Sequence, residues 1–284
     1  MLLGPLADWQ GPGNRGDAVR VIADGSNERL RVQFNAQKSL TGSPNKTDLL
    51  ITGLARDTQN ALRGGYTSVQ VVAGYSSDPS NAQVVAAGGL LGAFTSRQGA
   101  DVVTHCTVLD GGGAMARGAY SRAFSGGTPV AQIVRDLAGA LPGVTVGEID
   151  VDGRLNAKGM QFAGATAGQL NKLADHFGFS WSVQGGRFQA LSDTRALRTV
   201  YSFASESNLL SLTPILAGPL QAQTGVELLA LFTPGVKPGD TVRVASALSP
   251  RLNGNYKATS VVQSFDSHGP ATSKISCLKT PAGV

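Results

Sequence analysis

The feature that most restricts this chain is a two-residue rhythm in short runs, each closed by a turn. In residues 29–37, Leu30, Val32, Phe34 and Ala36 alternate with Arg31, Gln33, Asn35 and Gln37. Successive side chains of a strand point to opposite faces, so this run predicts a strand with one face in a core and one in water. Val69, Val71, Ala73 and Tyr75 predict a second such face. Residues 101–109 predict a third strand, closed by Asp110-Gly111-Gly112-Gly113. The 37 glycines and 13 prolines supply the turns that many short strands need. Between the strands, residues 54–62 predict a short helix ending at Gly64-Gly65.

The middle of the chain follows a different period. Thr128 as N-cap and Pro129 as first helical residue precede Val130, Ile133, Val134, Leu137 and Leu141 at helical spacing, and Pro142-Gly143 stops the run. A second helix starts near Thr166, passes through Leu170, Leu173, Ala174 and Phe177, and ends at Gly178. Phe179, Trp181 and Val183 then alternate with polar residues, and Gly185-Gly186 predicts a two-residue hairpin turn. From Tyr201 the strand signals return. Turns at Lys237-Pro238-Gly239-Asp240 and Asn253-Gly254-Asn255 precede strands at 241–245, 256–265 and 274–278. The predicted fold class is mainly β with an α+β insert. The divisions are an irregular arm over 1–16, a β unit over 17–111, the insert over 112–200 and a second β unit over 201–284. The two β parts are similar in size, but no tandem repeat is legible. At 284 residues the chain can bury a core without disulfide or metal staples.

The inventory for chemistry is thin. Net charge is +5, but residues 1–111 are neutral overall and no basic run exists, which argues against a nucleic-acid-binding surface. Cys106 and Cys277 lack close partners in sequence and read as small buried hydrophobes, with a disulfide between them left open. His105, His176 and His268 are not spaced as metal ligands. Residues 11–16 match GxGxxG, but a strand-like stretch at 17–23 follows where a helix is required. Glu148, Asp150 and Asp152 alternate and share a face beside Asp152-Gly153, reading as a solvated edge. Neither a GxSxG elbow nor a phosphate-binding loop is present. No catalytic, cofactor-binding or metal-binding residue is assigned, and no cofactor is expected. The start of the sequence lacks the pattern of a signal peptide. The longest uncharged run, 207–226, is broken by Pro214, Gly218 and Pro219, so no membrane insertion is expected and the chain reads as folding in a cytoplasm. This inventory favours an assembly role. Two alternatives remain: a cell-wall hydrolase using Glu148 and Asp152 as an acid pair, and a carbohydrate-binding β module, against which only Trp9 and Trp181 could stack.

Several segments together carry a family resemblance. Val32-Gln33-Phe34-Asn35 leads to Pro44-Asn45-Lys46-Thr47-Asp48-Leu49-Leu50-Ile51, then Gly53-Leu54 and a short helix. Val69-Gln70-Val71-Val72-Ala73-Gly74-Tyr75, Gly89-Leu90-Leu91-Gly92-Ala93-Phe94 and the strand from Asp101 to Asp110-Gly111 follow. Leu228 to Phe232, Pro234, Lys237-Pro238-Gly239-Asp240, Asn253-Gly254-Asn255-Tyr256 and Val261-Val262 close the series. In this order they resemble the baseplate hub (tail hub) proteins of contractile-tailed bacteriophages. The resemblance implies two tail-tube-like β-barrel domains flanking a smaller α+β clamp. It implies a homotrimer that presents six barrels and adapts a six-fold tail tube to a three-fold central spike. Implied partners are the tube protein, the spike, neighbouring baseplate proteins and the tape measure protein, with DNA only passing through the lumen. The implied place is the virion tail baseplate, assembled in the host cytoplasm, and the implied role is structural, not enzymatic. Each barrel would leave a sheet edge free to pair with a neighbour, and the 1–16 arm would order on assembly.

Overall fold

The computed structural model describes residues 2–4, 19–21, 23, 30–64, 68–75, 77, 81–217 and 222–279. Leu2–Gly4, expected in an irregular arm, forms strand β1, which pairs with both β2 (Val19–Arg20) and β5 (Ser68–Ala73). The rest of 1–16, with the GxGxxG match and Trp9, lies outside the described residues. The alternation at 29–37 becomes β3 (Arg31–Ser39), with Val32, Phe34 and Ala36 buried. β4 (Asn45–Thr52) buries Leu49 and Ile51 on the same face. Helix α1 (Arg56–Gly64), β5, the long β6 (Gln83–Gln98) and β7 (Asp101–Asp110) complete this region. β3 pairs with β4, β4 with β7, β7 with β6 and β6 with β5, all antiparallel.

The α+β unit follows. It contains α2 (Gly112–Arg117), β8 (Ala119–Phe124), α3 (Val130–Gly139), β9 (Thr145–Asp150), β10 (Met160–Ala165), α4 (Thr166–Phe177), β11 (Phe179–Gln184) and β12 (Arg187–Ser192). The apolar stripe of α3 (Val130, Ile133, Val134, Leu137) packs with Leu170 and Leu173 of α4 over Trp181, Val183 and Phe188 of the β11–β12 hairpin. Gly178 ends α4 in the left-handed conformation, and both turn glycines of the hairpin have positive φ. The start of α3 differs from expectation. Pro129, not Thr128, is the cap residue, with its carbonyl accepting from Gln132 and Ile133. The Thr128 hydroxyl instead donates to the Ser125 carbonyl at 2.7 Å, so it is not available to the helix amides.

The last region contains β13 (Leu197–Ala204), β14 (Leu209–Ala217), β15 (Ala222–Leu231), β16 (Asp240–Ala245), β17 (Gly254–Asp266) and β18 (Ala271–Lys279). β14 pairs with β15, β15 with β18, β18 with β17 and β17 with β16, again all antiparallel. β14 to β18 therefore repeat, in the same chain order and with the same four pairings, the plan of β3 to β7. The repeat that the sequence hides is present in the topology. The two copies of the plan join head to tail, because β17 also pairs with β3, from Ser260 opposite Ser39 to Asp266 opposite Gln33. One 13-stranded sheet results. Beneath it lie two cores. One collects Phe34, Leu49, Ile51, Val69, Val71 and Cys106, the other Val226, Leu228, Val242, Ala258, Ile275 and Cys277. Phe232, just beyond β15, reaches into the first core and packs against Phe34 and Phe265 at 6.2 and 5.5 Å between ring centres.

Candidate functional site

Two features of this fold could serve assembly, the open edges of the doubled sheet and the seam that seats the α+β unit. The edges come from how the long strands change partner. β17 pairs with β16 from Gly254 to Lys257, and beyond its bulge between Ala258 and Ser260 it pairs with β3. β6 behaves alike at first, pairing with β5 from Gln83 to Gly89 and bulging against β7 between Leu90 and Gly92. Beyond that bulge it has only β7 for a neighbour, so among the described residues 90–98 leave one backbone edge unpaired. At the far end of the sheet, among the described residues, β14 pairs only with β15. Free edges are usually guarded by charge. Charge is sparse here: β14 has no charged residue and is guarded instead by Pro214, which lacks an N–H, and 90–98 has only Arg97. Leu91 and Phe94 are 68% and 59% exposed, and Leu210 and Leu216 are exposed on β14. The edge of β9, by contrast, carries Glu148 and Asp150.

The seam is polar and buried. The Asp110 carboxylate accepts the backbone N–H groups of Gly185 and Gly186, at 2.5 and 3.1 Å, fixing the tip of the β11–β12 hairpin. Asn45 donates to the Val183 carbonyl at 2.7 Å, and Gly42 donates its N–H to the Trp181 carbonyl at 2.9 Å. Gln189 of β12 donates to the Pro238 carbonyl at 2.7 Å, and Lys257 donates to the Ser192 carbonyl at 2.8 Å. Burial pushes the Asp110 carboxyl up to about 7 against the opposing pull of the Gly185 and Gly186 amides and Lys38. Burial likewise raises Asp240 to about 7, although the Lys237 N–H donates to it at 2.9 Å. Burial lowers the Lys38 ammonium to about 8, with Asp110 and Asp240 opposing.

Of these groups, sequence reading had no signal for the two aspartates. Lys38 was within reach, because it continues the buried face of Val32, Phe34 and Ala36 at period two. The three alternating acids lie at the surface, two of them joined by an arginine. β9 ends at Asp150, and Arg195 pairs with both Asp150 and Asp152, the latter at 2.8 Å, while Glu148 stands exposed. The hydrogen bond and charge of Asp150, with that of Asp152, raise the Arg195 guanidinium further. An acid pair for glycoside chemistry needs one carboxyl kept protonated by its surroundings. Arg195 already holds Asp152 in an ion pair.

His105 stacks on Phe94 with ring centres 4.5 Å apart and hydrogen-bonds Ser96, while its neighbour Cys106 points into the core. His176 lies edge-on to Phe177. His268 contacts the Ser267 hydroxyl at 2.9 Å on an exposed turn, but Asp266 meets the His268 backbone N–H rather than the ring, so no triad forms. Cys106 and Cys277 are buried free thiols, both raised by burial, Cys106 to about 11. Among the described residues no cluster of three His, Cys, Asp or Glu side chains could hold a metal ion. Among them, too, no helix is long and apolar enough to cross a membrane.

No protein-family model matches the sequence, and no curated protein does. Solved structures do match the fold. A tail protein from Neisseria meningitidis MC58 is similar at TM-score 0.63 and 11% identity, over 90% of this chain and 94% of that one. The 43 kDa tail protein of prophage MuSo2 from Shewanella oneidensis gives 0.61 and 12%, over 89% and 98%. An E. coli component of the type VI secretion system, described as structurally similar to the T4 tail proteins gp27 and gp5, gives 0.64 and 9%, over 93% and 78%. The fold is therefore that of phage-tail and related secretion proteins.

Proposed function

We propose that this chain is the subunit of a tail hub, a trimeric ring that joins a six-fold tail tube to a three-fold spike. The observation that carries the reading is the doubled five-strand plan, with β3 to β7 and β14 to β18 arranged head to tail in one sheet. Three copies of a doubled unit offer six equivalent units to the tube and three equivalent chains to the spike. The two copies of the plan would be tube-like barrel domains, within 17–111 and 201–284, and the α+β unit, within 112–200, would be a clamp beside them. Cyclic closure uses heterologous contacts, and contacts of that kind need unlike free surfaces on each chain. The ring would form part of the conduit for DNA and sit in the baseplate of the virion tail. Its partners would be the tube protein, the spike, neighbouring baseplate proteins and the tape measure protein. The role is structural.

The test is the mass of the purified chain by light scattering, alone and with its spike. A trimer, or a complex of three chains with three of the spike, is the expected result. A monomer under both conditions refutes the reading.

A further inference from the structure

The α+β unit has a core of its own. Among the described residues, every side chain of that core comes from 114–190, whereas Phe232 ties the two halves of the sheet together. The unit is held to the sheet by the polar seam, to which Gln184 adds a hydrogen bond to the Ser39 carbonyl at 3.0 Å. Separately cored bodies joined by polar surfaces move against each other by default. The chain crosses the seam at two places. On the way in, Asp110 ends β7 and Ala114 of α2 already belongs to the unit's core, so the crossing falls at Gly111-Gly112-Gly113. On the way out, Asp193 and Arg195 are bound to the unit by Ser180 at 2.6 Å and by Asp152 at 2.8 Å. The next residue but one, Leu197, donates its N–H to the Gly239 carbonyl at 2.7 Å, so this crossing falls at Ala196. We propose that the α+β unit is hinged at these crossings and latched by the buried Lys38, Asp110 and Asp240, and that the latch opens when this cluster loses a proton. The latch needs no ring.

Charge counting gives the reason. Lys38 of β3, Asp110 at the end of β7 and Asp240 at the start of β16 are all buried. They set one cation against two carboxyls. With one proton kept, the cluster is neutral; without it, a negative charge is left uncompensated inside the seam, which is strongly unfavourable. Asp240 holds such a charge poorly, because its Oδ1 is buried and, among the described residues, has no hydrogen-bond partner. The charged and titratable neighbours do not change this balance. Lys237 is only partly buried and acts on Lys38 and Asp240 with opposite effect. Lys257 gives its ammonium to the Ser192 carbonyl and faces Asp193, and Tyr201 brings Asp240 a further acidic group.

Both carboxyls sit where the unit meets the sheet. Asp110 holds the Gly185 and Gly186 amides at the hairpin tip. The turn before Asp240 lies against β12, with Gln189 bonded to the Pro238 carbonyl and Gly239 so near Leu191 that an added methyl would stand 2.7 Å from it. Lifting the unit therefore wets both acids. Burial raises both carboxyls to about 7, so the closed state binds their protons more tightly than the open one. The closed state is favoured below that pH and loses the advantage above it. From pH 6 to pH 8 the open fraction should grow by up to about tenfold for each carboxyl. Lys38, lowered to about 8, opposes this by a factor of about two.

The experiment is hydrogen exchange of the full-length chain at pH 6 and pH 8, read by mass spectrometry and corrected for the intrinsic exchange rate at each pH. The seam amides of Gly42, Gly185 and Gly186 should exchange at least about tenfold faster at pH 8. The amides of α3, in the unit's own core, and of β15 and β18 should not change. A seam indifferent to pH overturns the latch. A seam that opens only together with α3 overturns it too, because the unit is then melting rather than lifting. A chain with Asp110→Asn and Asp240→Asn should lose the rise between pH 6 and pH 8, and a rise that survives overturns the assignment to these acids. Gly111→Ala tests the hinge: its methyl would stand 2.8 Å from the Val183 Cβ and should prop the unit open. Seam exchange should then be fast at both pH values with α3 still protected; a seam still closed at pH 6 overturns the hinge at this crossing.

Discussion

Gly42→Ala is the sharpest test of how the α+β unit is held. Gly42 lies between β3 and β4 at φ +64°, and its N–H donates to the Trp181 carbonyl at 2.9 Å. A methyl group there would overlap the Asn171 Oδ1 and sit 2.8 Å from two atoms of the Trp181 indole. Two costs follow. A left-handed backbone at a non-glycine residue costs roughly 1–2 kcal/mol. Relief of the overlap must also move Asn171 or Trp181, and the indole N–H donates to Asn171 at 2.8 Å from a side chain that is 1% exposed. Leaving such a donor unsatisfied costs about 1–3 kcal/mol. The expected total is roughly 2–5 kcal/mol. Gly99→Ala separates the two costs, because Gly99 has φ +62° but nothing within 4 Å of an added methyl. It should show the backbone cost alone. The assay is urea unfolding followed by Trp181 fluorescence, in a chain with Trp9→Phe so that one tryptophan reports. Equal losses at Gly42 and Gly99 would refute the claim that close contact at this turn seats the unit.

Stability should fall as pH rises through 7. Asp110 and Asp240 have carboxyls raised to about 7 by burial, so the folded chain binds their protons more tightly than the unfolded one. Their contribution is complete below the ordinary carboxylate range and is lost as the pH passes about 7. Between pH 6 and 8 each can contribute at most about 1.4 kcal/mol; urea midpoints across that range should show the slope, and an Asp110→Asn, Asp240→Asn chain should lose it and gain stability toward pH 8 instead, because the buried Lys38, already lowered to about 8, then sheds its proton more readily. Phe232→Ala should cost about 3–5 kcal/mol, and because Phe232, just beyond β15, enters the core of the other unit, thermal unfolding of the variant should show two separated transitions. Arg195→Met should leave the melting temperature nearly unchanged, since its two ion pairs are on the surface; a large drop in a melt would show that the clamp on Asp150 and Asp152 seats β9.

Much of the local structure was legible because local physics fixes it. The alternation around Phe34 required a half-buried strand, and Gly185-Gly186 required a tight hairpin. Gly178 marked the end of α4. The doubled plan was not legible, because a strand face demands apolar bulk rather than identity. Phe34 and Leu212 hold equivalent places, as do Ala36 and Pro214, Thr47 and Val226, and Cys106 and Ile275. None of these pairs aligns by residue type. The Arg195 clamp was hidden for another reason: its partners lie more than 40 residues earlier, and nothing in their spacing names a cation. Thr128 misled because a hydroxyl can serve the preceding turn as readily as the helix.

The position of the α+β unit in the chain now has a physical reason. Between the end of β7 and the start of β14 the chain passes from one unit to the next. In the sheet, β7 and β14 are separated by β4, β3, β17, β18 and β15. Six strand spacings amount to roughly 29 Å along the sheet. A short loop could not make that crossing. It would drop β14 beside the nearest open edge, which is that of β6 in the same chain. The doubled sheet would then be joined through β6 and β14, with β17 and β3 left open. The long insertion, seated on the sheet through Gly42, Asp110 and Gln189, selects the other joint. It keeps β6 and β14 apart within one chain.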